Sequence, residues 1–176
     1  EQSYDGRWFC DHAVRVNGKL VRQPDATEVC QYYAFFFRIA QKKEYPALYS
    51  CLMDEFGPDR ESRGLHPNIW PANAFIGNYL RMELLSQAGR PAQLLREARE
   101  YFDYMALKTG TLWENTGDYA SCNHGFASHI LHCFYRDILG VAGIENHLIC
   151  LSFHDLPLTE CRGTLPTADG PLSVEW

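Results

Sequence analysis

The chain has no CxxC pair and no cysteine–histidine spacing of a zinc-binding type, although cysteines stand at positions 10, 30, 51, 122, 133, 150 and 161. Seven thiols cannot all pair. They read as mostly buried free cysteines, which favours a reducing, cytoplasmic setting. Runs of lysine or arginine are missing as well, and the formal net charge is −6. That leaves no electrostatic footprint for a nucleic-acid backbone or an anionic membrane surface, and a neutral partner fits better. No apolar run reaches the roughly 18 residues of a membrane helix. There is neither a leader pattern nor an initiator Met, so the sequence is expected to be a processed piece or part of a longer chain. The G-x-S-x-G of a serine hydrolase and any motif repeated at fixed period are also missing, which argues against that enzyme class and the regular solenoid families.

What is present is enough apolar material for one core: 46% hydrophobic and 14% aromatic residues in a chain of 176. Near the start, two alternating runs in residues 14–21 flank Asn17-Gly18, the pair suited to a type I′ turn, and predict a β-hairpin. Asp25 or Thr27 offers an N-cap for a helix over about 27–41. A second helix is expected over 45–56, stopped by Gly57-Pro58. Pro71 suits the first turn of a third, running to Gln87, and Pro91 opens a fourth. In the fourth, Leu94, Leu95, Ala98, Tyr101, Phe102, Met105 and Ala106 make one apolar face, with charges opposite. A fifth helix is expected over 121–141. Beyond residue 146, short runs rich in Leu, Val and Thr broken by Pro and Gly predict a small β tail.

The first, third and fifth helical segments carry long stretches without charge, as helices covered on nearly every side do, whereas the fourth is amphipathic. Alternating inner and outer helices describe stacked αα-hairpins, in a solenoid or a closed toroid. The expected fold class is therefore mainly α, with the N-terminal hairpin and the β tail attached. Residues 1–145 form the helical part and 146–176 the β segment.

If the inner helices run parallel, the segments 27–31, 68–75 and 112–124 converge at one end. Glu114 then stands at the mouth of a helix-lined cavity beside Trp113, with Asn123 and His124 in the first turn of the next helix and Phe75 and Glu28 close by. An aromatic face beside polar groups suits a neutral polyhydroxylated ligand, and a carboxylate there can act as a general base toward water. Plainer readings stand beside this one. Glu114 can be a loop carboxylate serving a helix N-terminus, Trp113 a core residue, and Glu28 a first-turn carboxylate. His124, His129 and His132 could suggest a metal, but His124 and His129 are five apart and fall on different helix faces, which argues against zinc.

The run TGTLWENTGDYASCNHGFASHI, residues 109–130, resembles the signature near the end of the catalytic domain of bacterial α-L-rhamnosidases. TEVCQYYAFFF and NAFIGNYLRMELL resemble preceding inner helices of that family. YRDILGVAGI resembles the end of the last one, and GTLPTADGPLSVEW the closing β segment. The resemblance implies part of an (α/α)6 toroid and an inverting glycoside hydrolase that needs no metal or cofactor. It implies Glu114 as the general base, His124 as a sugar contact and Trp113 as part of the site wall. The family's upstream acidic motif, with its general acid, has no counterpart in residues 1–110. Twelve helices of about 12 residues with connections of about 5 need roughly 200 residues, and about five helices are legible here. The chain is thus expected to be a C-terminal part, with the missing part or another chain covering its inner helices. The alternative is a carbohydrate-binding or scaffold fragment without turnover.

Overall fold

A computed structural model of the chain describes residues 3–73 and 75–176. Two antiparallel strands, β1 (Ala13–Val16) and β2 (Lys19–Arg22), open it, with Val16 opposite Lys19. The intervening Asn17 and Gly18 both have positive φ, 50° and 79°, as a type I′ turn demands. Helix α1 (Glu28–Phe36) starts at Thr27, whose side chain accepts from the Cys30 amide at 3.0 Å. Helix α2 (Pro46–Asp54) follows, then α3 (Phe75–Gln87) and α4 (Pro91–Thr109), the last ended by Gly110 in the left-handed region.

α3 is the centre of the molecule. It touches α1, α4 and the helical residues 125–133. Leu80, Met82, Leu84 and Leu85 on it are buried, together with Tyr32 of α1, Leu52 and Met53 of α2, and Leu94 and Met105 of α4. Two charges on α3 are buried with them. Arg81 forms a bidentate pair with Glu97 of α4, both contacts 2.8 Å, and also donates to the carbonyls of Leu52, Met53 and Phe56 at the end of α2. One guanidinium thereby ties three helices together and occupies carbonyls that the end of α2 leaves without helical partners.

The mainly-α stacked-hairpin toroid is not what forms. Among the described residues there are five α-helices and six strands in three separate two-stranded antiparallel sheets, 37% helix and 20% strand. Two physical reasons account for the difference. First, charge-free sequence does not mean a helix covered all round: α1 leaves Tyr33 and Phe37 in solvent, and the last helical segment exposes Phe126 and Leu131. Second, the expected fifth helix over 121–141 is broken up. Residues 121–124 are held in extended and bent backbone, and helical structure begins with a 3-10 turn at Gly125–Ser128. Short α5 (His129–Cys133) passes into a π turn, Phe134–Ile138, and Gly140 at φ 90° ends the run. Val141–Glu145 is then not helix but strand β3, paired with β4 (Leu148–Leu151) across Asn146-His147, both at positive φ.

The first helix is also shorter than 27–41, closing at Arg38 with φ 58°. The third begins at Phe75 rather than in the turn after Pro71. β5 (Arg162–Thr167) and β6 (Gly170–Glu175) make the last hairpin, which docks on the π turn. Tyr135 donates to the Thr164 carbonyl at 3.0 Å, and Trp176 Nε1 donates to the Leu139 carbonyl at 3.2 Å. No helix among the described residues is long and apolar enough to cross a membrane.

Candidate functional site

The segments 27–31, 68–75 and 112–124 are joined by backbone hydrogen bonds. The Trp70 amide donates to the Ala26 carbonyl at 3.1 Å and the Glu28 amide to the Trp70 carbonyl at 2.9 Å, which fixes the 66–73 loop against the start of α1. The Phe75 amide donates to the Glu114 carbonyl at 2.8 Å, and Thr116 to Asn73 at 3.1 Å. On its other side, the 112–114 stretch pairs with 121–124: Glu114 donates to the Ser121 carbonyl at 2.8 Å and His124 to the Leu112 carbonyl at 2.9 Å. Residue 114 is therefore held from two sides, at the root of a small loop.

Trp113 and Glu114, neighbours in sequence, differ in burial. Trp113 is 3% exposed; its indole donates to Thr109 Oγ1 at 2.8 Å and its ring meets Tyr104 edge-on at 5.6 Å. It belongs to the core behind the loop. Glu114 is half-buried, and its carboxylate accepts from the Ser121 amide at 3.4 Å. His124 lies outside any α-helix, as the extended residue before the 3-10 turn. Its ring meets Phe75 tilted at 4.6 Å and stacks over Phe126 at 6.0 Å, with Phe75 and Phe126 themselves stacked at 5.3 Å. Phe126 is 72% exposed, and Asn123 is exposed beside it. Glu114, Phe75, Asn123 and His124 are thus gathered on one ladder, with a solvent-facing aromatic surface at its edge.

Glu28 is placed differently. It is buried, paired with Arg60, and also accepts from the Tyr32 hydroxyl and the Ala72 amide, each at 3.1 Å. Burial pushes its carboxyl above the usual range, against the opposing pull of the Arg60 guanidinium. With so many donors on it, its first task is to hold the 57–73 loop on α1. It also forms the floor of a cavity of about 220 Å³ whose rim includes Glu61, Glu100, Asn73, Tyr104 and Thr116. Asn73 and Thr116 belong to the same ladder as Phe75 and Glu114, so acidic cavity and aromatic surface share one backbone frame.

Glu61, Glu100, Asn73 and Thr116 were not legible as site residues. Glu100 reads as the solvent face of an amphipathic helix, and Glu61 as part of a polar loop. Asn73 and Thr116 carried a usable signal only in standing within the 68–75 and 112–124 segments. His129 pairs with Glu83 at 2.7 Å and His132 contacts Arg136 at 3.1 Å, two partners that are themselves paired, while His124 lies apart against Phe75.

The chain matches no protein-family model, no curated protein and no solved structure.

Proposed function

We propose that the chain is the C-terminal part of an inverting glycoside hydrolase that removes terminal α-L-rhamnosyl residues. Glu114 serves as the general base, and Phe75, Asn123 and His124 contact the sugar. The observation that carries this reading is the double pairing of residue 114. The backbone of a half-buried glutamate is held by Phe75 on one side and Ser121 on the other, its carboxylate accepts from the Ser121 amide, and a stacked aromatic surface of the kind that sugar rings lie against adjoins it. The resemblance of residues 109–130 to the rhamnosidase signature gives the sugar, and the carboxylate-rimmed cavity offers acceptors for hydroxyl groups.

In this reading Glu114 takes a proton from water as that water attacks the anomeric carbon. An acid supplied from outside this chain protonates the leaving oxygen on the opposite face. Inversion requires the two carboxyl groups about 6.5–9.5 Å apart, so that the water fits between them. The segment carrying that acid, or another chain, also covers the exposed Phe37 and Leu131.

The test uses an aryl α-L-rhamnoside with the chain alone and with the chain joined to its upstream coding sequence. The longer protein is expected to release β-configured rhamnose first, seen by proton NMR. Glu114→Gln should slow turnover by about 10²–10⁴-fold while leaving KM within a small factor. An undiminished kcat in that variant removes Glu114 from the role. L-rhamnose binding without turnover in either protein would favour a carbohydrate-binding fragment instead.

A further inference from the structure

At the end of α2, three side chains from two segments aim their donor atoms at one point. Cys51 and Glu55 stand one turn apart at the end of α2, and His66 comes from the loop that follows. Cys51 Sγ is 3.2 Å from His66 Nε2 and 3.8 Å from Glu55 Oε2, and the last two atoms are 2.6 Å apart. The imidazole is fixed in place. Its residue has φ 47°, its carbonyl accepts from Arg60 at 2.8 Å, and its ring meets Trp8 at 5.0 Å and Phe56 at 5.7 Å, both edge-on.

Two chemistries use cysteine, histidine and a carboxylate together. In a nucleophilic relay the thiol faces one ring nitrogen and the carboxylate orients the ring through the other. Here thiol and carboxylate both address Nε2, while Nδ1 faces Arg7 Nη2 at 3.2 Å, so a relay cannot run. Convergence on one point is instead what a cation requires. Bonds of about 2.0–2.3 Å in a tetrahedral site separate the donors by about 3.3–3.6 Å; the two separations from Cys51, 3.2 and 3.8 Å, lie close to that range, and the 2.6 Å hydrogen bond between His66 and Glu55 opens to admit the ion.

We propose that Cys51, Glu55 and His66 form a binding site for one zinc-like divalent cation, with its fourth position open to the adjoining cavity. A sulfur, nitrogen and carboxylate-oxygen set suits zinc rather than calcium or magnesium, which take oxygen donors. Three protein ligands leave room for water or an anionic oxygen. The cavity, about 240 Å³, is lined also by Tyr4, Gly6, Arg7 and Trp8. Binding the ion displaces the thiol proton to solvent and puts the imidazole proton on Nδ1. Arg7 then leaves Nδ1 and, exposed and already lying 5.1 Å from the Trp8 ring, is free to face an anion on the metal. A second cluster, Glu83, His129 and Cys133, has similar ligand types but is already filled by a positive charge. Arg136 Nη1 lies 3.2 Å from both Glu83 oxygens and Nη2 is 3.8 Å from Cys133 Sγ.

The test is titration of the chelator-treated chain with cobalt(II), followed by zinc. One equivalent of cobalt should raise a thiolate-to-metal charge-transfer band with the intense visible bands of a tetrahedral ion, and zinc should abolish both. Cys51→Ser should lose the charge-transfer band, His66→Ala should weaken cobalt binding at least tenfold, and Cys133→Ser should behave as wild type. In the wild-type chain, zinc should slow alkylation of Cys51, read by peptide mass spectrometry, which keeps the test independent of how the variants fold. A missing band, a band that survives Cys51→Ser, or alkylation of Cys51 unchanged by zinc would overturn the proposal.

Discussion

Arg81 shows how much a single residue can carry. It is fully buried, and each of its nitrogens has an assigned acceptor: both Glu97 oxygens and the carbonyls that end α2. A buried pair of this kind is not by itself a source of stability, since both charges are desolvated, but removing one partner leaves the other uncompensated. Arg81→Met should therefore cost about 3–5 kcal/mol, read as a lowered urea midpoint, while Arg96→Met, on an arginine largely in solvent, should change little. A midpoint for Arg81→Met within error of wild type would show that water replaces the lost contacts. Nothing in the local sequence announced this residue. Arg81 and Glu83 look like a charged turn in an apolar helix, and their burial follows from α3 being at the centre, which no local pattern encodes.

The elements were legible where punctuation was strong. Asn17-Gly18 placed a hairpin, Asp25 or Thr27 offered a cap that Thr27 fills, and Pro91 opened α4, because each of these residues has one backbone conformation or hydrogen bond that it favours. The fifth helix was misjudged for a reason also visible in the residues. Ser121 and Asn123 exchange local hydrogen bonds at 3.2 and 3.4 Å that compete with a helix, and Glu114 and Leu112 claim the backbone of 121 and 124 for a ladder. The turn at Asn146-His147, with both residues at positive φ, lacks the Gly that marks Asn17-Gly18. The ladder that gathers Glu114, Phe75 and His124 could be approached from the signature run, but its second side, through Phe75, needed tertiary structure. Packing between elements yields its own prediction. At Gly77 of α3 a Cβ would lie 2.6 Å from Ala72 Cβ and 3.0 Å from Val29 Cγ2, where α3 passes α1. Alanine gains about 1 kcal/mol of helix propensity over glycine, whereas overpacking costs about 1–3 kcal/mol. Gly77→Ala should come out net destabilised by urea, against the usual sign for a glycine inside a helix. A stabilised variant would mean that α1 and α3 can part without loss.

At the scale of the whole molecule, the C-terminal third depends on a charged junction. Glu83 of α3 meets His129 Nε2 at 2.7 Å and Arg136 Nη1 at 3.2 Å, while Arg136 reaches on to Asp137 at 2.9 Å, and Ser86 donates to Asp137 at 2.7 Å. Two side chains of α3 thus clamp the α5 and π-turn run on which β3 and the last hairpin rest. Burial would raise the Glu83 carboxyl, but the His129 hydrogen bond and the Arg136 charge more than offset it and hold it below the ordinary glutamate value. A carboxyl depressed in the folded state binds protons more readily once unfolded. Its contribution to stability is therefore complete above the unfolded glutamate pKa and is lost as pH falls from there through the lower folded value. Wild-type stability should fall across that acidic window. Glu83→Gln, less stable than wild type at neutral pH, should fall less steeply there, the two unfolding curves drawing together at the acid end. Because the junction fixes the C-terminal hairpins to α3, hydrogen exchange at low pH should speed up first in residues 129–145 and 162–175, with α4 still protected. Parallel pH slopes for the two proteins would place the acid sensitivity elsewhere, in the exposed pairs such as Asp54 with Arg90, whose loss would leave the C-terminal third no more labile than the rest.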